Sequence, residues 1–128
     1  MASPKILIVD DNDLIRTLLR GILRTEDCEI IGEARNGTLA LDFIEKSKPD
    51  MVFLDVMMPE MDGLEALQSI KRLYPEIIVV MITGSPSKDN VQESIQGGAS
   101  GFSVKPFNTA KVLDTLHKAL EHIGKDTR

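Results

Sequence analysis

Short apolar runs alternate with amphipathic stretches along the whole chain, and this alternation limits the possible folds more than any other feature. The first run, residues 6–9, contains only isoleucine, leucine and valine and stops at Asp10, which predicts a strand buried on both faces. Apolar residues then recur at the spacing of one helical face, with Asn12 or Asp13 as the expected helix cap. The same alternation continues along the sequence and predicts strands at residues 6–9, 29–34, 51–54, 77–82 and 102–105.

Each predicted strand is followed by a stretch with apolar residues at helical spacing, so we expect five helices with these residues against the sheet. The residues expected to face inward are Ile15, Leu18, Leu19, Ile22 and Leu23 in the first helix, Leu39, Ala40, Phe43 and Ile44 in the second, Leu64, Leu67, Ile70 and Leu73 in the third, Val91 and Ile95 in the fourth, and Val112, Leu113, Leu116, Leu120 and Ile123 in the fifth. Strands that alternate with helices require βαβ crossovers, which give a parallel sheet covered on both faces. We therefore expect an α/β, flavodoxin-like doubly wound (βα)5 sandwich with the strand order 2-1-3-4-5.

Length and composition predict one independently folding domain. The 128 residues are expected to form a single domain with a core at about 4–123, a short polar tail at 124–128 and no output domain. Twenty acidic and fifteen basic residues give a net charge of -5, and the basic residues are scattered, which argues against direct nucleic-acid binding. Cys28 is the only cysteine and has no neighbour at metal-ligand spacing. The sequence contains no run long enough for a secretion signal or a membrane span, so we expect a cytoplasmic protein without membrane insertion.

Three acidic residues stand at the ends of two strands that are expected to be neighbours. Asp10 and Asp11 follow the first strand and Asp55 follows the third. In doubly wound sheets the functional crevice lies at the carboxyl ends of the strands, where the winding direction changes, so these carboxylates should meet there. Their repulsion favours a bound cation, and oxygen-only ligands at a compact site favour Mg²⁺ over Ca²⁺. With Thr83 and Lys105 at the ends of the fourth and fifth strands, the set suits phosphoryl transfer onto a carboxylate.

Five short segments, taken together, resemble the receiver domains of two-component response regulators. They are VDDND at 9–13, LDVMMPEMDG at 54–63, MITG at 81–84, GGASGF at 97–102 and KPF at 105–107. The likeness spans nearly the whole chain. It implies a stand-alone receiver of the chemotaxis-regulator type.

The resemblance also implies a role for each acidic residue. Asp55 would accept a phosphoryl group from a histidine kinase or a histidine phosphotransfer protein. Asp10, Asp11, Asp55 and the backbone carbonyl of Met57 would bind Mg²⁺, for which Mn²⁺ could substitute. Such a protein is a signalling switch rather than an enzyme, because it catalyses only its own phosphorylation and slow dephosphorylation.

Other matching residues would convert phosphorylation into a change of shape. Thr83 and Lys105 would contact the bound phosphoryl group, and Phe102 would occupy an aromatic switch position. The face made by the fourth helix, fifth strand and fifth helix would then bind a downstream protein. The side chains two places after Asp55 and Thr83 are expected to tune the phosphorylated lifetime; they are Met57 and Ser85. The resemblance also implies structural roles for Pro59, Gly63 and Pro106. The peptide bond between Lys105 and Pro106 would be cis.

Each functional residue also has a simpler interpretation. The acidic run at 10–13 could be a turn and a helix cap, and Lys105 could be a solvated charge. Thr83 could merely end a strand, and Phe102 could be a packing residue. The histidines of the last helix, His117 and His122, have no acidic partner in the sequence pattern. They are expected to be solvated, which argues against a histidine phosphotransfer domain.

Alternative classes of protein share parts of this pattern. A hydrolase of the haloacid dehalogenase type needs a second acid where this chain has Met57. A receiver-like interaction module that is not regulated by phosphorylation normally lacks one or more acidic-site residues, and all are present here. The sequence is compatible both with a relay carrier that passes phosphate onward and with a messenger that binds a target protein. It is likewise compatible with a monomer and with a phosphorylation-dependent dimer. Arg16 and Arg20 on the first helix are expected to face the kinase.

Overall fold

Five strands alternate with five helices in the computed structural model, which describes residues 3–58, 61–84, 88–105 and 108–126. The elements are β1 (Lys5–Val9), α1 (Asp13–Leu23), β2 (Glu29–Ala34), α2 (Gly37–Ser47), β3 (Met51–Asp55), α3 (Gly63–Leu73), β4 (Ile78–Thr83), α4 (Lys88–Gln96), β5 (Gly101–Val104) and α5 (Thr109–Asp126). The predicted strands are all present, and their ends differ from the prediction by one residue at most. Pro59, Ser85 and Pro106 lie outside the described residues, as do the side chains of His122 and Ile123.

The strands form one parallel sheet in the order β2-β1-β3-β4-β5, which confirms the predicted doubly wound topology. The register places Val9 opposite Leu54, Asp55 opposite Ile82, and Thr83 opposite Val104. The carboxyl ends of the four strands β1, β3, β4 and β5 therefore lie side by side at one edge of the sheet.

Apolar side chains pack on both faces of this sheet. Along β1, Leu7 and Val9 contribute to one cluster, while Ile6 and Ile8 contribute to the other. Helices α2 and α3 cover the first cluster, and α1 and α5 cover the second. Burial on both faces explains why the central strands lack the alternation of an exposed sheet.

Four leucine and isoleucine side chains expected to face inward are instead exposed. Leu18 is 46% exposed, Leu39 40%, Leu73 57% and Ile95 65%. A helix lying on a sheet buries little more than one side, so the predicted apolar stripe was wider than the contact area. These four side chains lie at or beyond the margin of that contact.

Helix α4 shows the clearest rotation from its predicted face. Ser94, rather than its neighbour Ile95, is fully buried, and its hydroxyl donates to the Asn90 carbonyl oxygen at 2.8 Å. A serine satisfied by the preceding turn can be buried at little cost. Periodicity of apolar residues could not reveal this, because the inward position is polar.

Asn12 is the N-cap of α1, which decides between the two predicted cap residues. Its Oδ1 accepts hydrogen bonds from the backbone N–H groups of Leu14 at 2.8 Å and Ile15 at 3.2 Å. The cap fixes where the chain turns from β1 into α1. Across the described residues, no helix is both long and apolar enough to cross a membrane.

Candidate phosphoacceptor and metal site

The predicted site residues meet at the carboxyl edge of the sheet. Asp10 directly follows β1, Asp55 is the last residue of β3, Thr83 is the last residue of β4, and Lys105 directly follows β5. Asp10, Asp55 and Thr83 are buried, with exposures of 0%, 2% and 0%. Their convergence follows from the strand order.

The three acidic side chains form a compact cluster. One carboxylate oxygen from each of Asp10, Asp11 and Asp55 lies within 4.8 Å of the other two. Asp11 is exposed while the other two are buried, so the cluster opens to solvent on the side of Asp11. Separations of this size allow all three groups to share one cation.

Lys105 lies among the buried carboxylates. Its Nζ is 2.8 Å from Asp10 Oδ2 and 3.4 Å from Asp55 Oδ1, and the side chain is only 19% exposed. Burial lowers the pKa of Lys105, but its interactions with Asp10 and Asp55 outweigh this effect and raise the pKa above its usual value. The ammonium is therefore charged at neutral pH and offsets part of the acidic charge.

The Asp55 carboxyl is harder to ionise than an ordinary aspartate. Burial, and then the charge of Asp10, raise its pKa from 3.8 to about 6. Lys105 and a hydrogen bond from the Met57 backbone N–H act in the opposite direction. At neutral pH the group is mostly ionised, so it can act as a nucleophile, but it carries an energetic cost of ionisation in the folded state.

The donor set fits a hard divalent cation. Asp10 Oδ2 is buried, and its described partner is the Lys105 ammonium at 2.8 Å. An ionised carboxylate has about four lone-pair sites, so one ammonium leaves room for a further positive partner. Oxygen ligands in a compact, partly open cluster match the preference of Mg²⁺, which keeps several water ligands.

Gly63 is needed for the chain to approach Asp55 closely. A Cβ atom at this position would lie 1.9 Å from the Asp55 carbonyl oxygen, and the Gly63 N–H donates to the Val56 carbonyl oxygen at 2.8 Å. Any side chain would push the first turn of α3 away from the end of β3. This contact gives a physical reason for the structural role expected of Gly63.

The remaining predicted residues occupy different depths around the site. Met57 exposes 63% of its surface, next to a buried Asp55. Phe102 is half-buried and packs against the cluster under α2 and α3, which is compatible both with simple packing and with switching. The Lys105 N–H donates to the Thr83 carbonyl oxygen at 2.8 Å, so the backbones at the ends of β4 and β5 are joined beside the site.

Two charged residues have partners that the sequence pattern did not indicate. Arg16, which was expected to face the kinase, has a side chain that is only 14% exposed and pairs with Glu33. His117 is exposed, as expected, and its Nε2 contacts the Glu26 carboxylate. Both partners come from distant parts of the sequence, so local spacing gave no signal for either pair.

Comparisons with known proteins agree with this geometry. Residues 6–117 match the family model described as the response regulator receiver domain. The chain is 44% identical to the chemotaxis protein CheY of Listeria monocytogenes over 115 residues, covering 90% of this chain and 97% of the relative. It is 39% identical to the sporulation initiation phosphotransferase F of Bacillus subtilis over 120 residues, covering 94% and 96%. A CheY-like receiver domain structure from Methanospirillum hungatei superposes with a TM-score of 0.88 at 30% identity, covering 96% of this chain and 98% of that one.

Proposed function

The chain belongs to the response regulator receiver domain family, and we propose that it is a phosphorylation-dependent switch in which Asp55 accepts a phosphoryl group. The observation that carries the proposal is the placement of a buried, mostly ionised Asp55 beside Asp10, Asp11 and the Lys105 ammonium. The donor is a histidine kinase or a histidine phosphotransfer protein. The protein acts in the cytoplasm, as a monomer or as a dimer that forms on phosphorylation.

The chemistry is a displacement at phosphorus. A carboxylate oxygen of Asp55 forms a bond to the phosphorus atom while the bond from phosphorus to the donor's imidazole nitrogen breaks, and that nitrogen keeps the electron pair. Lys105 stays protonated and screens the charge of the phosphoryl oxygens. Asp10, Asp11, Asp55 and the Met57 carbonyl would hold Mg²⁺, or Mn²⁺ in its place, which supplies further charge neutralisation when bound.

The response to phosphorylation is a shift between two arrangements of the domain. New bonds from phosphoryl oxygens to the Thr83 hydroxyl and to Lys105 favour the active arrangement. Because the Lys105 N–H is hydrogen-bonded to the Thr83 carbonyl oxygen, a movement of Thr83 is passed to the end of β5. Ile95 and Val104 expose apolar surface on the α4–β5–α5 face, which suits the binding of a downstream protein there.

A relay carrier is the second candidate function. The similarity to a sporulation initiation phosphotransferase favours it, while the similarity to chemotaxis proteins favours a messenger. In both cases the Asp55 chemistry is the same. The two differ in the next partner, which is another histidine-bearing protein in a relay and a protein target in a messenger.

The test is intact-mass spectrometry after incubation with acetyl phosphate. Wild type with Mg²⁺ is expected to gain one phosphoryl group. Asp55→Asn with Mg²⁺, and wild type with excess chelator, are expected to gain none. If folded wild type gains no phosphoryl group from acetyl phosphate or from histidine-bearing donors, the protein is a receiver-like interaction module and the proposal is wrong.

Met57→Asn is expected to shorten the phosphorylated lifetime. Met57 lies two residues after Asp55 and is 63% exposed; its thioether cannot orient an attacking water, whereas an amide at this position can. One additional hydrogen bond of about 1 kcal/mol in the transition state corresponds to about fivefold faster dephosphorylation in Met57→Asn. The half-life is measured on purified phosphorylated protein, with Met57→Leu as the control that keeps an apolar side chain. An equal or longer half-life for Met57→Asn would contradict this role.

A further inference from the structure

We infer that Arg16 is a positioning residue that holds the Asp10–Asp11 loop in the geometry needed for metal binding, an inference that rests on the proposed function. Arg16 lies on α1 and touches neither the phosphoacceptor nor an acidic-cluster oxygen in the described contacts. Its effect is exerted through the backbone. The side chain is 14% exposed, which is low for an arginine on a helix of a small domain.

The guanidinium makes three different contacts. Its Nη1 donates to the Asp10 carbonyl oxygen at 2.5 Å, and its Nε donates to Glu33 Oε1 at 3.0 Å. Its Nη2 donates to the carboxylate of Asp13. A planar group with donors in fixed directions can hold three partners in one arrangement, which a lysine cannot do.

The contact with the Asp10 carbonyl connects Arg16 to the acidic cluster. The carbonyl of Asp10 and the N–H of Asp11 belong to one planar peptide unit. Fixing the carbonyl oxygen therefore fixes the orientation of this peptide plane. The Cα atoms of Asp10 and Asp11 lie at its two ends, so the directions of both side chains depend on it. A rotation of this peptide would separate the two carboxylates, which now lie within 4.8 Å of each other and of Asp55.

Strand β2 holds the preceding peptide, between Val9 and Asp10. The Asp10 N–H donates to the Ala34 carbonyl oxygen at 3.1 Å, and the preceding residue, Glu33, is the partner of Arg16. Glu33 is itself held by Arg20, whose Nη1 lies 2.6 Å from Glu33 Oε2. Two consecutive residues of β2 thus hold the loop, one through the backbone and one through Arg16.

Arg20 provides a matched control. It has the same charge, lies one helical turn further along α1 and shares the partner Glu33, but its described contacts do not include the Asp10 backbone. If Arg16 acts through its charge or through positioning, its loss should change the affinity for the cation in opposite directions. Loss of a positive charge near a cation site favours cation binding, whereas loss of positioning weakens it.

The first measurement is Mg²⁺ binding by isothermal titration calorimetry at constant ionic strength. Arg16→Gln is expected to bind Mg²⁺ about tenfold more weakly than wild type, at the lower end of the range for residues that orient metal ligands. Arg20→Gln is expected to bind as wild type or slightly more tightly. Arg16→Lys keeps the positive charge but lacks the planar guanidinium with its fixed donors, so it is expected to bind Mg²⁺ more weakly than wild type. This variant provides a second test if Arg16→Gln folds poorly. Equal affinities for the Arg16 and Arg20 variants would overturn the inference.

The second measurement needs no metal. The Asn12 N–H donates to Asp10 Oδ1 at 2.9 Å and therefore reports on the order of the loop. In chelator, its amide is expected to exchange with deuterium faster in Arg16→Gln than in Arg20→Gln, while amides in the core of β3 exchange equally in both. If wild type binds no Mg²⁺, the proposed metal site fails, but the exchange result still decides the role of Arg16. Unchanged Asn12 exchange in both Arg16 variants would overturn it.

Discussion

Asp55→Asn is expected to raise the free energy of unfolding of the metal-free protein by about 3 kcal/mol above pH 7, and to lose this advantage below about pH 4. In the folded protein the pKa of Asp55 is about 6, against 3.8 for an ordinary aspartate. Each factor of ten in a proton equilibrium is worth about 1.4 kcal/mol, which gives the expected size. Asparagine resembles the neutral carboxyl in shape, so it avoids the cost of ionising a buried group.

The sign of the pH dependence follows from the direction of this shift. Below pH 3.8 Asp55 is protonated in both the folded and unfolded states, so it carries no ionisation cost. Between pH 3.8 and about 6 the unfolded state ionises while the folded state keeps the proton on Asp55, so wild type loses stability relative to Asp55→Asn as the pH rises. The difference between the two proteins should therefore grow between these values and then stay constant.

Urea unfolding followed by circular dichroism between pH 4 and 8, with chelator present, measures this difference. Asp42→Asn is the control, because it makes the same chemical change at an exposed position of α2 and should change stability little. Addition of Mg²⁺ should stabilise wild type and not Asp55→Asn, because the ion binds only where the acidic cluster is intact. Parallel pH profiles for wild type and Asp55→Asn would show that Asp55 ionises without cost.

The sequence predicted the strand order and the convergence of the site because both depend on simple periodic features. Asp10, Asp55, Thr83 and Lys105 each stand at the end of an apolar run, and parallel strands bring such ends to one edge. Lys105 could be assigned to the same edge without knowledge of its contacts. The distances that set the charge balance, such as 2.8 Å from Lys105 Nζ to Asp10 Oδ2, required the structure.

Contacts between side chains of distant elements were beyond the sequence pattern. The pairing of Arg16 with Glu33 depends on the angle between α1 and β2, which apolar periodicity does not specify. The burial of Ser94 instead of Ile95 depends on how α4 is rotated on its neighbours. In each case the deciding group is polar, and its partner is found only when the helix is placed in the fold.

Lys105→Ala is expected to leave Asp55 able to accept a phosphoryl group but to weaken the conformational response. In the unphosphorylated protein Lys105 is shared between Asp10 and Asp55, and phosphorylation gives it a stronger anionic partner. A charge-assisted hydrogen bond is worth about 2 kcal/mol, so its loss should lower the ratio of active to inactive arrangement by roughly thirtyfold. Acetyl phosphate should still produce the intact-mass adduct, because the oxygen that attacks phosphorus belongs to Asp55.

Amide chemical shifts of the phosphorylated protein measure this response. In wild type, the shifts of β5 and α4 should move towards the active positions, and in Lys105→Ala they should move by a smaller fraction at equal phosphorylation. Lys111→Ala removes an exposed lysine from α5 and should respond as wild type does, which separates the local bond from the general charge of that region. If the Lys105→Ala shifts moved as fully as those of wild type, Thr83 and the phosphoryl group alone would drive the transition. A reduced response would show that Lys105 links the chemistry at β3 to the face formed by α4, β5 and α5, because it follows β5 directly and contacts Asp55 from there.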